Sequence, residues 1–349
     1  MEKFLILLAL IGFGFSSGCA TKKTAKGQEN RIIVVADSAL YNVLQPHLAN
    51  VYEREVRTPW PEKRFQLTYM PGKELSRASI QHNVIMIGLL AGTDITSNQV
   101  KQMLNPELLD KVRQGEGYVF RKQNPWAEKQ LLLVFAGESA EQLIDNITGN
   151  KNYLYSLMHN NLIARTSEII YSRYEQKEFA DSLMKNYGWR VRIPHDYHFF
   201  QDIPQNNFVH FRRINPERWI YVHWVKTEDP TIILDKKWFL KKRAEIGRLH
   251  YENDVVVDTL YKFSETEING RWALQFEGLW ENKEKVAGGA MKAFVFYDEN
   301  TQRAYIIDIA IYAPSRNNKL AYLNQLEAIA RTFRTREDLQ QEKLKVKSN

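Results

Sequence analysis

The sequence predicts an α+β protein of two domains, the second an antiparallel β-meander flanked by helices. Three observations predict it. Short β-branched apolar runs alternate with amphipathic stretches in the first half. In the second half strands follow one another through turn signals, headed by Asn269-Gly270, the strongest hairpin signal in the chain. Leu320, Leu323, Ala330 and Phe333 then recur at helical spacing, so a last helix should lay an apolar stripe across that meander.

The chain opens on an apolar run from Phe4 to Phe15 behind Lys3. It is too short for a bilayer core, which needs about 20 residues, and has the length of a signal-peptide core. Ser16, Ser17 and Gly18 follow, and Cys19 stands where a bacterial lipoprotein signal places its acylated residue; Ser16 replaces the Leu commonest there. This predicts a signal peptide over 1–18 and a lipidated, flexible polar tether over 19–30. Ordinary signal cleavage, with Cys19 incidental, is the alternative. Two or more acyl chains, of the palmitate type, hold a protein stably on a membrane where one does not. Cys19 is the only cysteine, so the mature chain forms no internal disulfide.

Residues 31–174 read as the first domain. RIIVVA (31–36) is a buried strand, and Asp37 or Ser38 caps a helix over 39–56 that Pro46 kinks or divides. Thr58-Pro59-Trp60-Pro61 reads as a rigid extended linker. Strands follow at 65–69 and 83–89, helices at 97–104 and 106–114, and a strand pair at 118–121 and 130–136. Helices at 139–146 and, with interruptions, 151–173 close the domain.

Residues 175–335 form the second. Gly188 stops a helix over 178–187, and a strand follows at 189–193. Asn215-Pro216 turns a hairpin of 208–212 and 219–224. Asp235 caps a helix over 236–250 with Phe239, Ile246 and Leu249 on one face. Strands at 259–268, 271–279, 292–297 and 303–312 build the meander. Glu327 breaks the stripe of the last helix, and Leu326 beside it can face the sheet instead. Residues 336–349 read as a frayed polar tail.

The net charge of +7 gathers in the tether, at the C-terminal end and on one helix, as Lys236, Lys237, Lys241, Lys242, Arg243 and Arg248. No basic run carries the pattern of a nucleic-acid module. A solvated surface is the plain reading, and contact with anionic headgroups the functional one.

Candidate chemistry is sparse. Gly137-Glu138-Ser139-Ala140-Glu141 has the outline of a nucleophile elbow, but Glu141 replaces the second glycine, and Ser139 with Gln142 reads as a capping box. His195-x-x-His198, near Asp196 and Asp202, lacks a third spaced ligand and predicts no metal site. His210 and His223 lie on hairpin partners whose register decides whether they share a face. Glu265, Glu267, Glu277 and Glu281 cluster around Asn269-Gly270, where a carboxylate pair could do acid–base work or lie on the wet face of a sheet. Gly115-Glu116-Gly117 and Gly288-Gly289 read as turns, and no motif predicts a cofactor. The aromatic residues of the second domain, among them Trp219, Trp224, Trp272 and Trp280, are core, or line an apolar groove.

Several pieces together carry a resemblance. They are Trp60-Pro61-Glu62, Pro125-Trp126-Ala127, Tyr187-Gly188-Trp189, Gly278-Leu279-Trp280, Gly288-Gly289, Tyr312-Ala313-Pro314 and Leu326-Glu327-Ala328-Ile329. The chain resembles an uncharacterised family of predicted lipoproteins, a domain of unknown function, from Gram-negative bacteria of the Bacteroidetes type. Ala290 departs from an expected Pro, and Lys319-Leu320 from an expected basic pair. The resemblance implies envelope location and lipid anchoring and carries over no functional residue. In such bacteria acidic residues after the cysteine accompany export to the surface, so the basic Thr21-Lys22-Lys23 implies an outer-membrane protein facing the periplasm. The second domain is also similar in outline to the PsbP-like sandwich, a fold-level analogy.

The expectation is therefore a non-catalytic binding or scaffold lipoprotein, held to the membrane through Cys19, with an envelope protein or lipid as partner and no nucleic acid. An envelope hydrolase of unrecognised type, or a carrier of a small ligand or lipid, are the alternatives.

Overall fold

A computed structural model describes residues 22–348. The leader and Cys19 lie outside the described residues.

The first domain contains β1 (Arg31–Ala36), α1 (Ser38–Tyr52), β2 (Glu55–Thr58), β3 (Trp60–Lys63), β4 (Gln66–Pro71), α2 (Leu75–Ala78) and β5 (Asn83–Leu89). It continues with α3 (Ile95–Met103), α4 (Pro106–Arg113), β6 (Val119–Gln123), β7 (Leu131–Gly137), α5 (Ala140–Gly149) and α6 (Lys151–Ile170). Strand order is β4-β1-β5-β7-β6, parallel except for β6. The alternation of strands and helices produces this plan, because parallel neighbours need crossovers. The runs IIVV, VIMI and LLLVFA are apolar throughout because helices cover both faces of the central strands.

The second domain runs α7 (Lys177–Tyr187), β8 (Trp189–Arg190), β9 (His198–Ile203), β10 (Phe208–Arg213), β11 (Glu217–Lys226), α8 (Lys236–His250) and β12 (Val255–Val256). Then come β13 (Lys262–Ile268), β14 (Arg271–Asn282), β15 (Ala287–Asp298), β16 (Arg303–Tyr312), α9 (Lys319–Ala330), β17 (Arg334–Thr335) and α10 (Arg336–Ser348). The meander is one antiparallel sheet, β12-β14-β15-β16-β11-β10-β9, with β13 also on β14. Asn269 and Gly270 both take positive φ, 50° and 78°, as a two-residue hairpin turn requires. In β16, Tyr305, Ile307, Ile309 and Ile311 join the core under α9, while Ala304, Ile306 and Ala310 face α8. The α+β, two-domain plan is thus the one expected.

Several details differ from the sequence reading. Helix α1 stops at Tyr52 and Val56 belongs to β2, because Pro59 turns the chain back and pairs Thr58 with Trp60. The expected linker is a hairpin. Helix α6 is continuous. The chain before Arg31 is not a free tether: Thr24 pairs with Glu128, Lys26 with Gln81, and Ala25 is buried. The polar tail is helical, its first turn tied down by Asp338, which pairs with Arg271 at 2.8 Å. Gly288 and Gly289 are strand residues rather than a turn. A Cβ on Gly289 would lie 1.9 Å from the Ile311 carbonyl oxygen, to which Trp280 Nε1 donates at 3.1 Å.

Candidate binding cleft between the domains

The β2–β3 hairpin reaches from the first domain into the second. Val56 sits in the second domain's core. Helix α9 follows Asn318, which is left-handed and gives no side-chain cap. Glu62 supplies the cap from the other domain: Lys319 N–H donates to Oε1 at 2.9 Å and Leu320 N–H to Oε2 at 3.3 Å. A carboxylate there satisfies orphan donors and suits the helix dipole.

Beside this cap lies a buried network of charges. Glu277 of β14 accepts from Arg64 at 2.7 Å and pairs with Lys262 at 3.0 Å and Lys292 at 3.4 Å. Glu327 of α9 pairs with Lys292 at 2.7 Å and Arg331 at 2.8 Å, and accepts from His159 Nε2 of α6 at 2.9 Å. Arg64 also donates to Asn324 at 3.2 Å. Arg64 and His159 come from the first domain and the carboxylates from the second, so the network joins the two. Burial alone would raise both carboxyls. Lys292, Arg64 and Lys262 hold Glu277 well below the carboxylate range, and Lys292, His159 and Arg331 do the same for Glu327. Burial brings the His159 imidazole down to about 4 despite Glu327, so it is neutral at pH 7.

The network floors a cleft of about 980 Å³ between the domains. Tyr155 and Asn152 of α6, with Arg54, form one wall. Lys262, Ser264 and Gln275 of the sheet form the other. The Arg54 guanidinium lies 4.1 Å from the Tyr155 ring centroid, and the Tyr155 and His159 rings stack at 5.3 Å. A second recess of about 290 Å³ shares Arg64, Lys262, Glu277 and Lys292 with the cleft, so these ion pairs partition the two.

The residues singled out from the sequence are mostly elsewhere. The register places Lys262 opposite Glu277 and Glu265 opposite Leu274. Strand alternation therefore puts Glu265 and Glu267 on the α8 side and Glu277 on the cleft side. Glu265 and Glu267 nevertheless reach the rim of the cleft whose floor holds Glu277, and Glu281 lies away from it. Glu281 pairs with Lys283 on the surface. His195 and His198 are exposed, Asp196 pairs with Arg213 at 2.6 Å, and Asp202 accepts from Tyr187. Among the described residues no three His, Cys, Asp or Glu gather as a metal site. His210 faces Tyr221 and His223 faces Phe208, so the register settles them on one face, buried beneath α8. Ser139 Oγ accepts from Gln142 N–H at 3.3 Å and caps α5. On α8, Leu249 is half exposed and Arg243 is fully buried against Asp308 at 3.0 Å, so Arg243 is no part of the basic surface. Most of the second domain's aromatics fill two cores, one on each sheet face, whereas Trp272 is exposed at the cleft. A separate recess of about 720 Å³, lined by Trp60, Leu279, Trp280, Tyr312 and Pro314, opens between the sheet and the start of α9.

The chain carries two domains of unknown function. Residues 25–171 match one family model (DUF8532) and residues 176–332 another (DUF4837), and the boundary between them falls between α6 and α7. Both are uncharacterised, as the motif resemblance implied. Similar solved structures include a protein of Bacteroides thetaiotaomicron VPI-5482, at 9% identity and TM-score 0.27, covering 43% of this chain and 45% of that one. The chain thus spans less than half of that protein. PsbP of Synechocystis sp. PCC 6803 is 13% identical at TM-score 0.31, covering 42% of this chain and 86% of its own. LpqN of Mycobacterium tuberculosis, involved in cell envelope biogenesis, is 12% identical at TM-score 0.28, covering 46% and 96%. No curated protein matches the chain in sequence. Among the described residues no helix is long and apolar enough to cross a membrane.

Proposed function

We propose that this is a lipoprotein of a Bacteroidetes-type outer membrane, anchored through Cys19 and facing the periplasm, that binds a ligand or partner in the cleft between its domains without transforming it. The cleft is the observation that carries the binding reading. Both domains contribute walls, its floor is fixed by ion pairs, and its volume suits a ligand. Glu277, the carboxylate nearest to a catalytic position, is held ionised by three cations and cannot serve as a general acid near neutral pH. The docked N-terminal segment supports close anchoring. Lys22 Nζ donates to the Asn124 carbonyl at 2.7 Å, so residues 20 and 21 alone separate the body from Cys19, a reach of at most about 10 Å.

The anchor is tested by Cys19→Ser. The variant is expected to leave the membrane fraction for the soluble periplasmic one, and retention in the membrane fraction without acylation contradicts the anchor. Reproducible turnover of envelope material by the purified protein contradicts the non-catalytic reading.

A further inference from the structure

Five cations line the cleft: Arg54, Arg64, Lys262, Lys292 and Arg331. Against them stand Glu277 and Glu327 in the network and Glu265 and Glu267 at the rim, which leaves one positive charge over. Glu265 and Glu267 reach the rim from the opposite face of β13. Lys262 is half exposed and Arg331 partly so, so both are reachable from solvent while paired with Glu277 and Glu327. Arg54 makes no ion pair among the described residues. Its Nε donates to the Val51 carbonyl at 2.9 Å and Nη2 to the Lys151 carbonyl at 3.1 Å, which fixes its fork over the Tyr155 ring. Arg64 Nε is buried with no hydrogen bond. Excess positive charge on preorganised forks selects oxyanions, because charge-assisted bonds to carboxylate or phosphate are the strong ones. Ser156 and Asn160 of α6 and Ser264, Thr266 and Gln275 of the sheet add neutral donors and acceptors suited to hydroxyl groups. Val56 is the aliphatic residue of the wall, and it is buried, which disfavours an acyl chain.

We propose that the cleft binds a hydroxylated ligand through a phosphate or carboxylate group, with Arg54, Lys262 and Arg331 as the contacting cations. This rests on the cleft being the binding site.

Calorimetric titration of the full mature chain with glucose 6-phosphate, citrate and glucose tests it, together with flotation on phosphatidylglycerol vesicles. The anionic probes are expected to bind, more weakly as salt rises, and glucose is not. Lys262→Gln with Arg54→Ala should weaken binding about tenfold or more. Lys262→Gln alone changes a half-exposed side chain and should weaken it with the fold intact. Lys237→Gln with Lys241→Gln, on exposed α8, should leave affinity unchanged. Vesicle binding lost in the cleft variants identifies a lipid headgroup as the source of the oxyanion; binding of the soluble probes alone identifies a free ligand. Three results overturn the proposal: no binding of any anion, anion binding that only the α8 variants weaken, or equal binding of glucose and its phosphate. The last leaves the cleft a binding site and removes only the anion.

Discussion

Replacing Asp308 with alanine is expected to lower stability by about 3–5 kcal/mol. Asp308 lies in β16 within RAYIIDIAIY, facing α8 among Ile306 and Ala310. Its Oδ2 accepts from Arg243 Nε at 3.0 Å, and both side chains are fully buried. Removing the carboxylate strands a guanidinium with no route to water. The pair is itself imperfect: Asp308 Oδ1 and both terminal nitrogens of Arg243 are buried without hydrogen bonds. Replacing both partners with apolar residues of similar volume, Arg243→Met with Asp308→Leu, should therefore recover most of the loss. Denaturant titration of the two single variants and the double reads this directly. A loss below about 1 kcal/mol for Asp308→Ala would mean the pair is hydrated and weakly held.

Acid should destabilise the protein well before its carboxylates titrate in bulk. Burial brings His159 and His223 down to about 4 and His210 to about 3. Lys242 adds to the effect at His223, as Arg212 and His250 do at His210. A free imidazole titrates near ~6.5. The unfolded chain therefore takes up protons first as pH falls. The stability these groups contribute is whole above about pH 6.5 and is lost as pH falls toward 4. Each contributes on the order of 3 kcal/mol by about pH 4, and together they approach the whole stability of an ordinary domain, about 5–15 kcal/mol. The melting temperature should decline continuously over that range. His210→Leu with His223→Leu should flatten the second domain's share of the decline. A melting temperature constant from neutrality to about pH 4.5 is the contrary result.

Much of the fold was legible because local chemistry is strong where it was read. Three apolar runs become the central strands, Asp235 caps α8 through Lys237 N–H at 2.8 Å, and Asn269-Gly270 turns the hairpin. That turn held more than was taken from it. A two-residue turn puts Ile268 opposite Arg271, and counting outward pairs Lys262 with Glu277 and sends Glu265 to the other face.

The cleft was hidden for a different reason. Glu327 looked like a flaw in an apolar stripe, yet it is the meeting point of Lys292, His159 and Arg331. Its partner on α6 lies in the other domain, and no pattern within one segment reports how two domains meet. Asp308 is hidden for the same reason: it is one polar residue in a strand, and its partner is on α8. Thr58-Pro59-Trp60-Pro61 reads as an extended linker because two prolines suggest extension. The packing of Val56 and the Glu62 cap, both in the second domain, make it a hairpin.

The central claim is that the protein works by binding in the cleft its two domains build. Site-specific photocrosslinking in intact cells tests it most directly, with the reactive residue placed at Asn152 or Ser264 on the two walls, or at Lys237 on exposed α8. The account predicts the same adduct from both wall positions and none from Lys237. An adduct from Lys237 alone, or none from either wall, would contradict it.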